Sequence, residues 1–315
     1  MNQLIVSPSP HTRSGITTRQ IMLDVIIALC PALIAAFILF GYRVLIVAAV
    51  AVGSSVLIEF LCRLAMKREQ TIGDLSAVVT GLLLAMNLPA GIPLWIVVFG
   101  SFIAIAVVKQ LFGGIGQNFA NPAITARVIL LASFSGYMTA RSVPEQHLGV
   151  DAIASATPLV QLAGGRETSS LLQMFLGVKS SCAVGEVSAL ALLIGGVYLV
   201  ARRVIKPTAP LVFIAAVFVL TGLLGQNPVE QILSGGLMLG AIFMATDYAT
   251  TPSTTKGKVV FALGCGVITV LIRLYGGYPE GVSFAILLMN ILTPQIDKLT
   301  MKKPLGLKEE GRKAA

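Results

Sequence analysis

Gly81-Leu-Leu-Leu-Ala-Met86 is echoed by Gly236-Leu-Met-Leu-Gly-Ala241, and Leu111-Phe-Gly-Gly114 by Leu274-Tyr-Gly-Gly277. The partners lie 155 and 163 residues apart (81 to 236, 111 to 274), so the two echoes describe one duplication. Each quoted segment lies in or at the end of an apolar run, and about 20 such residues cross a bilayer. Working outward, ten spans are expected: 20–40, 43–62, 75–90, 93–112, 122–138, 184–201, 208–225, 230–246, 258–274 and 281–298. The duplicated unit then holds five spans. Five is odd, so the second copy runs through the membrane inverted, an arrangement that places a binding site at the interface of the copies. The expected fold is an all-α polytopic membrane protein, about ten transmembrane helices in two inverted five-helix repeats. Its parts are an N-terminal segment 1–19, a membrane domain 20–300 and a basic tail 301–315. The domain divides into repeat one (20–138), a connecting loop (139–183) and repeat two (184–298).

Composition agrees. Of 315 residues 56% are hydrophobic and 12% charged, against roughly 25% charged in soluble domains. An ordinary soluble enzyme, a disordered chain and a fibrous protein are excluded. The net charge of +9 sits in short clusters between apolar runs, which is how topology is encoded and not how nucleic acid is bound. Seventeen of the 23 Lys and Arg fall in segments that are inside if the N-terminus is inside, five fall outside, and Arg127 lies within a span. Both termini are therefore expected in the cytoplasm and 139–183 outside. The first twenty residues are polar and carry Arg13 and Arg19, so no cleavable signal is expected. Cys30, Cys62, Cys182 and Cys265 have no paired spacing, and His11 and His147 are far apart, so no metal site is expected.

Charges inside a membrane mark function by default. Asp24, Glu59, Asp74, Lys109, Arg127, Glu186, Asp247 and Arg273 are candidates. Lys109, Arg273 and Glu186 lie near span ends, where a long side chain reaches the interface cheaply. Asp24 and Asp247 are too short for that and are the ion-path candidates, or a buried pair. The turn Gly113-Gly-Ile-Gly-Gln-Asn-Phe-Ala-Asn-Pro122 carries Gly116, Gln117, Asn118 and Asn121. Glycine admits close backbone approach, and amides bond a polar ring edge without adding charge. By itself the turn also reads as simple helix packing. In the loop segment Asp151-Ala-Ile-Ala-Ser-Ala-Thr-Pro-Leu159, Thr157 is on composition alone a loop threonine.

Taken in order, Ser7-Pro-Ser-Pro-His11, Lys109-Gln-Leu-Phe-Gly-Gly-Ile-Gly-Gln-Asn118, Asn121-Pro-Ala123, Ala156-Thr157-Pro-Leu159, Met244-Ala-Thr-Asp247 with Thr251-Pro252, and Arg273-Leu-Tyr-Gly-Gly-Tyr-Pro-Glu-Gly281 resemble one family. It is that of the D subunits of Rnf ion-translocating oxidoreductase complexes, related to the B subunits of sodium-pumping NADH:quinone reductases. The resemblance covers roughly residues 7–300. It implies a membrane subunit of a ferredoxin:NAD⁺ oxidoreductase, not catalytic alone, relaying electrons coupled to Na⁺ or H⁺ transport. It implies FMN on Thr157 through a phosphoester, with Ser155 and Ala156 beside it. Here Ala154 stands where the family often has Ser, and Ser155 where it often has Gly, while Ala156-Thr157 is kept. It also implies a non-covalent riboflavin within the bundle, near the Gly-rich turns. The implied partners are the A, B, C, E and G subunits of the complex, a flavin transferase during maturation and the lipid bilayer of a bacterial inner membrane. The fold alone equally suits an inverted-repeat secondary transporter or channel without a redox role, or a scaffold that positions partners.

Overall fold

A computed structural model describes residues 15–139, 171–177, 183–276 and 280–301. Among them all regular structure is helical. The first copy holds α1 (Thr18–Phe40), α2 (Arg43–Ala65), α3 (Ser76–Met86), α4 (Leu94–Phe102) and α5 (Pro122–Ser133); α4 continues as a π-helix over Ile103–Gln110. Short helices α6 (Ser135–Met138) and α7 (Leu171–Leu176) follow. The second copy holds α8 (Ala189–Ala201), α9 (Thr208–Leu223), α10 (Pro228–Leu233), α11 (Leu237–Leu239), α12 (Thr255–Tyr275) and α13 (Val282–Thr300); α11 runs into a π turn, Gly240–Met244. By length and composition α1, α2, α12 and α13 suffice to cross a membrane, and α3, α4 with its π extension, α5, α8 and α9 are shorter apolar helices.

The helix ends follow local chemistry. α1 opens on a capping box, Gln20 N donating to Thr17 Oγ1 and Thr17 N to Gln20 Oε1. It closes at Gly41, whose φ of 71° suits glycine. α5 starts at Asn121-Pro122, where the Asn121 side chain accepts from Ala123 N and Ile124 N and Pro122 needs no donor partner.

Four expected spans differ from what forms. The run 122–138 is helical to Ser133, breaks at Phe134 (φ −129°, ψ 44°) and resumes as α6. The run 75–90 is helical only to Met86, because Asn87 bonds its own last turn (Nδ2 to Leu83 O, 2.6 Å) and Pro89 follows. The run 184–201 begins as a 3-10 turn, Val184–Glu186, and the helix starts after the Ser188 cap. The run 230–246 is in three pieces, because Ser234 is extended and Gly235 has φ 65°. Apolar run length carries none of these breaks.

Packing repeats between the copies. α2 lies on α4 as α9 lies on α12, second helix against fourth in each. First meets first across the centre (α1 on α8), and last meets last (α5 on α13). α3 approaches α2 closely at Gly81, where a Cβ would stand 2.7 Å from Ala51 O. Side chains such as Leu57, Val197, Leu211 and Leu223 face outward, while Glu59, Lys109, Arg127 and Glu186 are buried. Apolar residues outside and charges inside suit a bundle solvated by lipid.

Candidate functional site

A cavity of about 350 Å³ opens between the copies at one end of the bundle. From the first copy come Ile21, Met22 and Val25 of α1, Val79 and Leu83 of α3, and the turn before α5; from the second, Leu199 of α8, Phe243 and the turn Thr246–Ala249. Of the residues singled out in the sequence, Gly116, Asn118, Asn121 and Asp247 all line this cavity. Gly116 has φ 82° and open space at its Cβ position. Gly113 (φ 125°) and Gly114 (φ 104°) serve packing instead: a Cβ on Gly114 would stand 2.5 Å from the Arg63 guanidinium. Gln117 is exposed and folds back on Gly113, away from the cavity wall. The glycines of the turn thus differ: Gly113 and Gly114 are packed, and Gly116 is open beside the cavity.

The polar lining of the cavity comprises the amides of Asn118 and Asn121, several hydroxyls, Lys109 and Asp247. Asn118 Oδ1 is buried and has no hydrogen-bond donor among the described residues, a state that costs about 1–3 kcal/mol until a ligand or water supplies one. Asn121 is fixed by its cap, and Asn290 Oδ1 accepts from Asn121 N at 3.1 Å when its amide nitrogen faces Thr250 O. Thr246 and Thr80 give their hydroxyl protons to Ile242 O and Ser76 O. Asp247 accepts from Thr250 Oγ1 at 3.1 Å. Mostly apolar walls with these few polar groups, in a volume within the roughly 300–1,000 Å³ of small-molecule sites, suit a small organic ligand.

Two charge networks flank this centre. In the cavity lining itself, Lys109 Nζ donates to Glu59 Oε2 (2.8 Å) and Ser76 Oγ (2.6 Å). Gln110 Nε2 and Thr71 Oγ1 both donate to Glu59 Oε1, at 2.9 and 3.1 Å. The second network joins the copies. Arg127 of α5 donates to Asn87 Oδ1 (2.7 Å), to Glu186 Oε1 (3.3 Å) and to Glu280 Oε2. Nearby Arg273 donates to Gln231 O, Gln231 Oε1 and Ser234 O. Lys109, Glu186 and Arg273 therefore do not reach the interface as their positions suggested; each is at most 7% exposed and held inside. Asp24 pairs at the end of the α1–α8 contact, accepting from Tyr198 OH at 2.9 Å and Arg202 Nε at 3.3 Å. The Arg202 side chain is 59% exposed, so this is a latch at the rim and not part of the cavity. Thr157, Ser155 and Ala156 lie outside the described residues. Sequence reasoning missed Asn87, Gln110, Asn290 and Glu280; their roles depend on partners 40 to 153 residues away or more.

The fold is that of a polytopic helical membrane protein with an internal cavity lined from both halves of the chain. The NQR2, RnfD, RnfE family profile matches residues 5–306, and the chain belongs to that family. Across 98% of its length it is 49% identical to the D subunit of the Na(+)-translocating ferredoxin:NAD(+) oxidoreductase complex of Acetobacterium woodii, 97% of which is covered. It is 42% identical, over 97% of each chain, to the proton-translocating counterpart of Clostridium ljungdahlii. To the D subunit of the ion-translocating oxidoreductase complex of Mannheimia succiniciproducens it is 36% identical, over 98% of this chain and 99% of that one.

Proposed function

We propose that this chain is the D-type membrane subunit of an Rnf ferredoxin:NAD⁺ oxidoreductase, assembled with A, B, C, E and G subunits in a bacterial inner membrane. It holds two flavins: FMN esterified to Thr157, and a non-covalent flavin of the riboflavin type in the cavity between the copies. The observation that carries the second is the meeting of Gly116, Asn118, Asn121 and Asp247 on one cavity wall. Flavins supply one- and two-electron transfer when bound. The chain's part is positional. Asn118 and Asn121 offer amides to a ring edge, Gly116 lets backbone come close, and Ile21, Val25, Leu83 and Phe243 exclude water. Asp247 is the one carboxylate in the cavity wall among the described residues, where a cation accompanying the electron is held. Relatives named for Na⁺ and for protons are both similar over nearly the full length, so the coupling ion is carried by finer differences than the fold. A transporter without redox chemistry fits the bundle but not the names of these relatives.

The test is flavin content. From complex purified out of its native host, acid precipitation should release one flavin from this chain beyond any that stays covalently attached. Asn118→Leu removes amide bonds to the ring edge worth about 1–3 kcal/mol, so the released flavin should fall on the order of tenfold. Val25→Trp, which fills the cavity, should abolish it. Full release from both variants would refute the cavity assignment.

The same reading places both termini in the cytoplasm. With reactive native thiols removed, Gly165→Cys should label from outside intact cells and Lys206→Cys only after lysis. The opposite pattern reverses the orientation.

A further inference from the structure

A second, smaller cavity of about 160 Å³ shares a wall with the first through Val204, Ile205, Thr246 and Tyr248. Its character is different. Arg203, Lys206 and Lys258 all line it, and no carboxylate among the described residues does. Among the described residues none of the three pairs with an acid, since the ion pairs there belong to Lys109, Arg127 and Arg202. Lys206 and Lys258 carry like charges around this one small cavity. Helix ends add to the strain. Lys258 stands in the first turn of α12, and Lys206 two residues before α9, and the positive end of a helix dipole disfavours cations. Arg203 is the left-handed residue (φ 58°) that closes α8, with Val204 N donating to Leu199 O. Among the described residues no hydroxyl in the wall accepts from the three cations. Tyr248 OH donates to Val204 O, Thr246 Oγ1 to Ile242 O and Thr251 Oγ1 to Ala245 O.

Three cations gathered around a cavity, none neutralised by the described chain, call for an external anion. Basic residues scattered over a membrane surface need no cavity and no shared wall. We propose that this cavity is a binding site for a phosphoryl group, held by Arg203, Lys206 and Lys258 beside the main cavity. Two sources carry that chemistry at a membrane surface: the headgroup of an anionic phospholipid, and a soluble phosphate or phosphate ester. The site stands whether or not the neighbouring cavity holds a flavin.

The full-length chain in nanodiscs tests it. Melting temperature is read for wild type, for Lys206→Gln/Lys258→Gln, and for Lys302→Gln/Lys303→Gln, which removes equal charge from the tail. Discs are made of phosphatidylcholine alone, of phosphatidylcholine with phosphatidylglycerol, or of phosphatidylcholine with inorganic phosphate added. Stabilisation of wild type and the tail variant by phosphatidylglycerol, absent in the cavity variant, supports the site and assigns a lipid headgroup. The same pattern with inorganic phosphate alone supports the site and assigns a soluble source. Native mass spectrometry should then show phosphatidylglycerol, or phosphate, retained on the order of tenfold less by the cavity variant. If the double variant does not fold, Lys206→Gln alone replaces it and should lose part of the response, while Lys258→Arg keeps it. Equal responses in all chains, equal loss in the tail variant, or no response to either probe overturns the proposal.

Discussion

Arg127→Met is expected to leave little folded chain. Arg127 joins repeat one to two acidic groups of repeat two, Glu186 and Glu280, and also holds Asn87 at the end of α3. Its side chain is 7% exposed and that of Glu186 4%. Removing the cation leaves Glu186 buried without it, and breaking a buried pair in this way costs about 3–5 kcal/mol. Glu280, 29% exposed, adds less because water reaches it. The total is a large share of the roughly 5–15 kcal/mol that holds a typical domain together. The measurement is the yield and melting temperature of monodisperse chain after detergent extraction, with an expected fall on the order of ten degrees. Arg127→Lys should recover only part, because one ammonium cannot match the guanidinium fork across three partners. Arg127→Met combined with Glu186→Gln and Glu280→Gln should recover more than Arg127→Met alone, since the two carboxylates that faced the guanidinium are then neutral. Wild-type melting in Arg127→Met would mean that the network does not hold the copies together.

The same residue marks the limit of what the sequence makes legible. Ten apolar runs are visible because lipid demands them, and every run contains helix in the structure. The duplication is visible as an echo of sequence, yet the echoed glycines differ in setting: Gly81 lies against the α2 backbone, while Gly236 faces the Arg127 and Glu186 side chains. Helix length is less visible. Asn87 and Ser188 change the backbone through side-chain bonds that hydropathy does not register. Charge partners are the least visible, because Arg127 and Glu280 are 153 residues apart and only the packed fold brings them together. A position near a span end suggested that Lys109 reaches the interface, yet Glu59, Gln110 and Ser76 build a polar pocket that keeps it inside. The cavity falls between these cases. Asn121-Pro122 and the glycine turn announce a helix start with spare amides, which is local chemistry. That Asp247 of the other half lines the same cavity depends on how the two halves pack. Gln117, one residue from Gly116, turns outward instead, and spacing alone does not separate the two.

Thr157→Ala should remove covalent flavin from the chain altogether. Resemblance supplies the FMN assignment, and the basic count supplies the compartment in which a flavin transferase meets the loop 139–183. The linkage needs a hydroxyl oxygen to bear the phosphoryl group, which Thr157 has and Ala156 and Pro158 lack. Small neighbours, Ser155 and Ala156, leave room for the transferase, and Pro158 restricts the backbone just past the bond. Losing one methyl and one hydroxyl from a polar loop costs little packing, so the variant chain should insert and assemble at normal levels. The complex should then lose most ferredoxin-to-NAD⁺ electron transfer while keeping any flavin that acid releases from the cavity. That split separates the two flavin sites: Thr157→Ala empties one, Asn118→Leu the other. Thr157→Ser retains a hydroxyl and should keep part of the attachment; Ser155→Ala should keep all of it. Peptide mass spectrometry across 142–166 is decisive, because attachment adds the mass of FMN less one water to the Thr157 peptide. A bare Thr157 peptide from material matured with the transferase present would remove the assignment. So would in-gel flavin fluorescence that persists at full strength in Thr157→Ala, since the flavin would then be bonded to another residue.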